Sequence, residues 1–213
     1  MERATRVLLA RHGQTAWNVD SRIQGHLDIG LNEHGHWQAQ RLAEALAGET
    51  LAAIYSSDLQ RARDTALAVS RRTGVPVQPE PALRERDFGD FQGKTFQELA
   101  QHHPQETERW RRRDPDFAPP GGESLEAFFA RTVAAAERLA RAHPGEAIAL
   151  FTHGGVLDCL YRAATGQPLQ APRTWQLTNT AVNRLLWTPQ GLSLVGWADT
   201  THLDDASLDE ISS

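Results

Sequence analysis

The sequence predicts an α/β fold, a single domain over residues 1–213 with a mostly parallel central sheet flanked by helices on both faces. Three observations predict it. Short apolar runs alternate with stretches of helical periodicity. Two of the early runs, Val7–Ala10 and Ala147–Thr152, lead into a His-Gly pair. No repeat, linker or low-complexity stretch divides the 213 residues, a length that fits one sizeable core.

The elements follow in order. Val7-Leu8-Leu9-Ala10 reads as a buried strand running into a loop, with His12 at its C-terminal end. From Asn32 to Ala47 the apolar positions Ala39, Leu42, Ala43 and Leu46 recur at helical spacing, and Gly48 stands where a C-cap glycine would end the helix. Ala52–Ser56 is a second strand. Ser57-Asp58-Leu59-Gln60 has the form of a capping box, opening a helix with Leu59, Ala62, Ala66 and Val69 on one face and Arg61 in its first turn. Gly74–Val77 gives a turn and a short strand, and the prolines at 79 and 81 make Leu83–Gly89 a structured loop. Residues 94–114 read as helical and 114–123 as a Pro/Gly-rich connection. Ser124 caps a long helix that turns Leu125, Phe128, Phe129, Val133, Ala136, Leu139 and Ala140 inward. Ala147–Thr152 runs into His153-Gly154-Gly155 and another helix, and Val182–Trp187 pairs with Leu192–Trp197 across Thr188–Gly191. Sheets of this kind bind ligands beyond the C-terminal ends of their strands, so both imidazoles and Arg61 reach one crevice.

Composition narrows the function classes. At 40% apolar and 23% charged the chain is an ordinary globular protein, neither disordered nor fibrous. A formal net charge of -5 argues against nucleic-acid binding, so an anionic ligand needs a local cluster of positive groups. The run Arg109, Arg111, Arg112, Arg113 reads first as a solvated helical face. The lone Cys159 sits in an apolar stretch as a small core residue and points to a reducing compartment. The run Val7–Ala10 is too short for a signal peptide or a span, so a cytoplasmic protein without membrane association is expected. No metal or other cofactor is called for: His34/His36 and His102/His103 lack Cys or carboxylate partners at ligand spacing. Walker A, GxGxxG and GxSxG motifs are absent. Oligomeric state is open, a homodimer included, because exposed apolar surface cannot be told from core in a sequence.

Arg11-His12-Gly13-Gln14-Thr15, with Trp17-Asn18, resembles the RHG signature of the histidine phosphatase, or phosphoglycerate mutase-like, superfamily. The resemblance continues through Gln24-Gly25, Leu31–Gly35, Tyr55–Ala62, Leu83–Gly93, Pro120–Ser124 and Thr152–Gly154. Ordered matches over residues 9–155 make coincidence a poor account. The resemblance implies His12 as the phosphoryl acceptor, His153 as its partner, Arg11 and Arg61 as phosphate ligands, and Glu85 as general acid and base. It also implies Asn18, Gln24, Gly25 and Gly154 around the substrate. Its closest appearance is to the broad-specificity and α-ribazole phosphate phosphatases.

The chemistry of the residues agrees. A neutral imidazole is a good phosphoryl acceptor, and neighbouring guanidinium groups penalise its protonation. Forked guanidinium donors match phosphate oxygens and stabilise their charge during transfer. His153, just before a helix, can bind the same oxygens, and the Gly154 N–H lies where a helix start attracts anions. From chemistry alone the two imidazoles could exchange roles; the RHG context assigns His12. A carboxyl group at Glu85 beside a phosphate could protonate a leaving oxygen and then take a proton from water. The expected activity is therefore metal-independent hydrolysis of a small phosphorylated metabolite. A phosphoglycerate mutase is the alternative, because Trp110–Arg113 is similar to a basic pair used by mutases, although the segment from Gly93 to Gly121 is compact. A non-catalytic phosphate-binding module is disfavoured, since all five core groups are present. The walls around the leaving group are expected near Phe88, Phe91, Phe96 and residues 102–122.

Overall fold

The computed structural model describes residues 3–204; residues 1–2 and 205–213 of the predicted 1–213 unit lie outside the described residues. Six strands form one sheet: β1 (Thr5–Arg11), β2 (Ala53–Ser56), β3 (Val77–Pro79), β4 (Ala147–Thr152), β5 (Val182–Thr188) and β6 (Gly191–Asp199). Their order is β3-β2-β4-β1-β5-β6; the first four are parallel, and β5 and β6 extend the sheet antiparallel. The described residues also form α1 (Ala16–Val19), α2 (Glu33–Ala45), α3 (Gln60–Thr73), α4 (Phe96–His102), α5 (Pro104–Arg111), α6 (Leu125–Arg141) and α7 (Gly154–Thr165). None of these helices is long and apolar enough to cross a membrane.

Successive strand side chains point to opposite faces, and this sorts the core into two layers. Val7 and Leu9 of β1 pack with Phe128 and Leu139 of α6 and Val156 and Leu160 of α7. Leu8 and Ala10 pack on the other face with Leu42 of α2 and Val69 of α3. β4 is buried at every residue, as a central strand covered on both faces must be. A third cluster, Phe91, Leu99 and Phe117 with Ile23, Phe88 and Trp110 against it, supports α4 and α5 beside the strand ends.

The strand register decides where the chemistry falls. Arg11 pairs with Thr152 across β1 and β4, and Ser56 with Phe151 across β2 and β4. The next residue of each strand, His12, His153 and Ser57, therefore emerges at one edge. Two bonds extend the ladders to that edge, from His12 N–H to the Thr152 carbonyl at 2.9 Å and from Ser57 N–H to the Phe151 carbonyl at 3.0 Å.

Three local expectations fail, each for a physical reason. The capping box at Ser57–Gln60 does not form: the N-cap of α3 is Leu59, which has no side-chain cap bond, and the Ser57 hydroxyl pairs instead with His153. The 94–114 stretch splits into α4 and α5 because Pro104 cannot donate the bond a continuous helix would need. α2 ends at Ala45 with Leu46 as its C-cap, so Gly48 lies beyond the helix in a turn. Ser124 does cap α6, accepting from Ala127 N–H, while Phe129 and Val133 are only partly buried.

Candidate active site

His12 emerges from β1 almost fully buried, 3% exposed. Its Nδ1 lies 2.7 Å from the Gly13 carbonyl, which can only accept, so Nδ1 carries the proton and Nε2 keeps its lone pair. Burial, then Arg11 and Arg61, holds the ring pKa well below the ordinary imidazole value, against a partial rise from the Gly13 bond. Gly13 is fixed in turn: its N–H donates to Thr65 Oγ1 (3.0 Å), and Thr65 donates to the Arg61 carbonyl (2.8 Å). Gly13 and Gly35 approach so closely that a Cβ on Gly13 would overlap the Gly35 carbonyl, and one on Gly35 the Gln14 carbonyl.

Three more nitrogen-rich side chains meet His12 there. Arg11 donates from Nη1 to the Leu177 carbonyl at 2.7 Å, and Arg61 from Nη1 and Nη2 to the carbonyls of Leu27 (2.9 Å) and Gly25 (2.7 Å). The His153 ring lies 5.3 Å from that of His12, centroid to centroid, with its Nε2 2.8 Å from Ser57 Oγ. Arg11 Nε, Arg61 Nε and His153 Nδ1 are buried and without a hydrogen-bond partner. Buried polar atoms are paired in almost all folded proteins, so three orphans on three adjoining side chains mark a place built for a polyvalent acceptor. Burial lowers the Arg61 pKa to about 10, opposed by Glu85 and Asp28, and burial also lowers Arg11. The His153 ring is held well below the ordinary value by burial, then by Arg61, His12 and Arg11.

Glu85 is fixed by backbone donors, its Oε1 accepting from Arg86 N–H and its Oε2 from Gly155 N–H, both at 3.0 Å. Its carbonyl accepts from His26 Nε2 (2.8 Å) and Arg131 Nη2 (3.3 Å), and Arg131 pairs with Glu123 of the Pro-Gly-Gly-Glu-Ser loop. Gly155, at the start of α7, leaves the space that the Glu85 carboxylate occupies: a Cβ there would overlap Glu85 Oε1 and push the carboxylate aside. Sequence reasoning placed Gly155 at the start of a helix without giving it a site role, did not name Arg131, and missed Asn179, which donates to the His12 carbonyl at 2.7 Å. The second glycine of His-Gly-Gly was the one available signal.

The other predicted site residues fall into two groups. Asn18 closes a true capping box, its Oδ1 accepting from the Thr15 N–H (3.0 Å) and hydroxyl (3.1 Å), which leaves its amide nitrogen as the free donor. Gln24 buries Oε1 without a partner. Gly25 holds Arg61 through its carbonyl, at a positive φ of 51°. Gly154, the first residue of α7, packs beside the Arg11 guanidinium; a Cβ there would sit at an ordinary 3.5 Å from Arg11 Nε. Of the basic run, Arg111 and Arg112 are exposed and paired with Glu108, and Arg109 with Asp114. Arg113 behaves differently. It takes a left-handed φ of 54°, binds Asp158 at 2.6 Å, and lines a cleft with Glu85. That cleft, about 210 Å³, is also lined by Arg86, Phe88, Trp110, Phe128 and Cys159. Trp110 stacks on Phe88 at 4.8 Å, and burial raises the Cys159 thiol pKa, leaving it an unreactive part of the wall.

Two buried imidazoles, the buried Arg61 and half-buried Arg11 guanidiniums and a backbone-fixed carboxylate, gathered beyond the ends of parallel strands, define a phosphoryl-transfer type of centre. The family model of the histidine phosphatase superfamily (branch 1) matches residues 7–200, and the chain belongs to that superfamily. It is 39% identical over 204 residues to phosphoglycerate mutase-like protein 4 of Arabidopsis thaliana, covering 93% of this chain and 87% of that one. It is also 39% identical over 202 residues to the metal-independent phosphoserine phosphatase of Arabidopsis thaliana, covering 93% and 83%. Among solved structures it is similar to a mycobacterial glucosyl-3-phosphoglycerate phosphatase, with a TM-score of 0.82 and 33% identity, covering 93% of this chain and 100% of that one.

Proposed function

We propose that the chain hydrolyses small phosphomonoesters through a phosphohistidine on His12, and the observation that carries this is the 2.7 Å contact of His12 Nδ1 with the Gly13 carbonyl. With Nδ1–H tied to the Gly13 carbonyl, Nε2 is the unprotonated nitrogen, and burial beside two guanidiniums keeps it so. Nε2 attacks phosphorus, the P–O bond to the alcohol breaks, and Glu85 in its acid form passes its proton to the leaving oxygen. Arg11 and Arg61 meet the charge on the phosphoryl oxygens through the nitrogens that have no protein partner. With the Ser57 hydroxyl donating to His153 Nε2, His153 Nδ1 carries a hydrogen for the same oxygens. Asn18, Gln24 and the Gly154 N–H complete the surround. In the second half Glu85 takes a proton from water as its oxygen attacks phosphorus and the N–P bond breaks, releasing inorganic phosphate and restoring His12.

Hydrolysis is favoured over the mutase reaction because Arg111 and Arg112 are engaged by Glu108 away from the cleft. The phosphatase names among its relatives point the same way. A cytoplasmic setting fits the single buried thiol. The test is release of phosphate from p-nitrophenyl phosphate in EDTA, together with an acid-labile phosphoenzyme in rapid quench, both lost in His12→Ala. Isomerisation of phosphoglycerate primed by its bisphosphate, without net hydrolysis, would reverse the assignment.

A further inference from the structure

The peptide unit that joins His12 to Gly13 governs where the nucleophilic nitrogen points. That unit is planar, so its tilt moves the Gly13 carbonyl, and with it the 2.7 Å contact that holds His12 Nδ1. Side chains grip both of its poles. The N–H donates to Thr65 Oγ1 of α3 at 3.0 Å, and the carbonyl accepts from Asn179 Nδ2 at 2.7 Å. A carbonyl can only accept, so it is the amide nitrogen of Asn179 that faces it.

Asn179 stands where the sheet ends. The ladder between β1 and β5 closes at Ala10 and Val182, and just before it Thr180 is fully buried at a left-handed φ of 57°, an uncommon conformation for a β-branched residue. Around that turn the chain reaches back to the head of the catalytic strand. The Leu177 carbonyl accepts from Arg11 Nη1 (2.7 Å), Thr180 N–H donates to the Arg11 carbonyl (3.0 Å), and Asn179 reaches His12. Backbone strain of this kind persists only where the surrounding bonds over-determine it. A carbonyl beyond the end of a ladder needs no more than a donor, and water would serve. A donor presented from a turn that also holds the backbone and the guanidinium of Arg11 does more, because it leaves the carbonyl one position. The turn is itself tied down on its far side: the Gln176 carbonyl accepts from Trp197 Nε1 (2.9 Å), and Trp175 stacks on Tyr161 at 4.0 Å.

We propose that Asn179 is a positioning residue for phosphoryl transfer: with Thr65 it locks the His12–Gly13 peptide so that His12 Nε2 meets phosphorus in line. This rests on the phosphatase reading and adds to it how the nucleophile is aimed. Asn179 bonds to backbone, so its loss acts on the step in which the Nε2–P bond forms and the P–O bond to the alcohol breaks, the leaving oxygen taking its proton from Glu85. Binding of the phosphoryl oxygens by the guanidiniums stays as it was.

Orthovanadate and inorganic phosphate separate aiming from binding. The same cations hold both anions, but vanadate also takes the Nε2 lone pair as a further ligand and so resembles the transition state, whereas phosphate needs no aimed imidazole. Phosphoenzyme formation from p-nitrophenyl phosphate in rapid quench, and inhibition by each anion, are measured with the full chain as wild type, Asn179→Ala and Asn179→Leu. The leucine keeps the shape of the side chain without its donor, and melting curves establish that each variant is folded at the assay temperature. In both variants the rate constant of phosphoenzyme formation is expected to fall roughly ten- to hundredfold and vanadate inhibition to weaken by a similar factor, with phosphate inhibition within about twofold of wild type. Unchanged phosphoenzyme formation and vanadate inhibition in either folded variant overturns the assignment. Equal weakening of vanadate and phosphate overturns it as well, since that marks damage to the whole pocket. A wild type that forms no phosphoenzyme and releases no phosphate from p-nitrophenyl phosphate removes the phosphatase reading itself, and this assignment with it.

Discussion

Gly155→Ala isolates the role of Glu85 with a single methyl group. The added Cβ overlaps Glu85 Oε1 and presses on Phe128, so the carboxylate must move aside by about 1 Å, a displacement that can cost a reacting group on the order of a hundredfold in rate. The bond from Gly155 N–H to Oε2 is disturbed with it. Stability moves the other way or not at all, because alanine is the better helix former by about 1 kcal/mol and Gly155 lies in the first turn of α7. A poor alkoxide leaving group needs the acid, whereas p-nitrophenolate departs without a proton. The expected outcome is therefore about a hundredfold fall in kcat for an alkyl phosphate and only a few-fold fall for p-nitrophenyl phosphate, at an unchanged or raised melting temperature. Equal losses on both substrates would mean that the phosphoryl pocket, not the acid, had been damaged. Undiminished alkyl phosphate turnover would refute the role given to Glu85.

Stability should depend on pH through the two buried imidazoles. His12 and His153 titrate in the folded chain well below the ~6.5 of an unfolded histidine, so between those values the unfolded chain binds more protons. Their contribution is full above about pH 6.5 and is lost as the pH falls through it; urea midpoints from pH 7.5 to 5 should drop, and less steeply in His153→Gln, with parallel curves counting against the assignment. Ser57→Ala strips His153 Nε2 of its partner and should lower kcat about tenfold without aggregation, and an unaltered kcat would remove Ser57 from the mechanism. Gly35→Ala forces a methyl onto the Gln14 carbonyl and should cost roughly 2–3 kcal/mol in chemical denaturation, more than Gly48→Ala, whose Cβ would meet nothing.

What the sequence makes legible here is local. The β1 and β4 runs, the His-Gly pairs that follow them, and the helical periodicity of α2, α3 and α6 each declare themselves within a few residues, and parallel pairing then brings the strand ends together. Of the site residues carried by the family signature, Arg11, His12, His153 and Gly154 lie at those ends, Arg61 at the start of α3, Asn18 on α1, and Gln24, Gly25 and Glu85 on loops. What the sequence conceals is set by distant partners. Ser57 looks like a helix cap until His153 competes for its hydroxyl, and Arg113 looks like part of a solvated run until Asp158 claims it. Nothing near Arg131 in the chain announces that its guanidinium supports the Glu85 loop through the carbonyls of Ala82, Arg84 and Glu85. The role of Gly155 is visible only as the space a side chain would fill.

The position of β1 between β4 and β5 also bears on how the chain is made. Both neighbours that cover the edges of β1 are encoded far downstream of it, β4 beginning only at Ala147. At ordinary rates of translation the apolar stretch Val7–Ala10 stays uncovered for on the order of ten seconds. The nascent β1 segment therefore carries exposed apolar side chains and unpaired strand edges until its neighbours emerge. Because His12 and His153 lie on opposite sides of that late seam, catalytic competence arises only after most of the chain has been synthesised, and enzymatic activity serves as a reporter of completed folding.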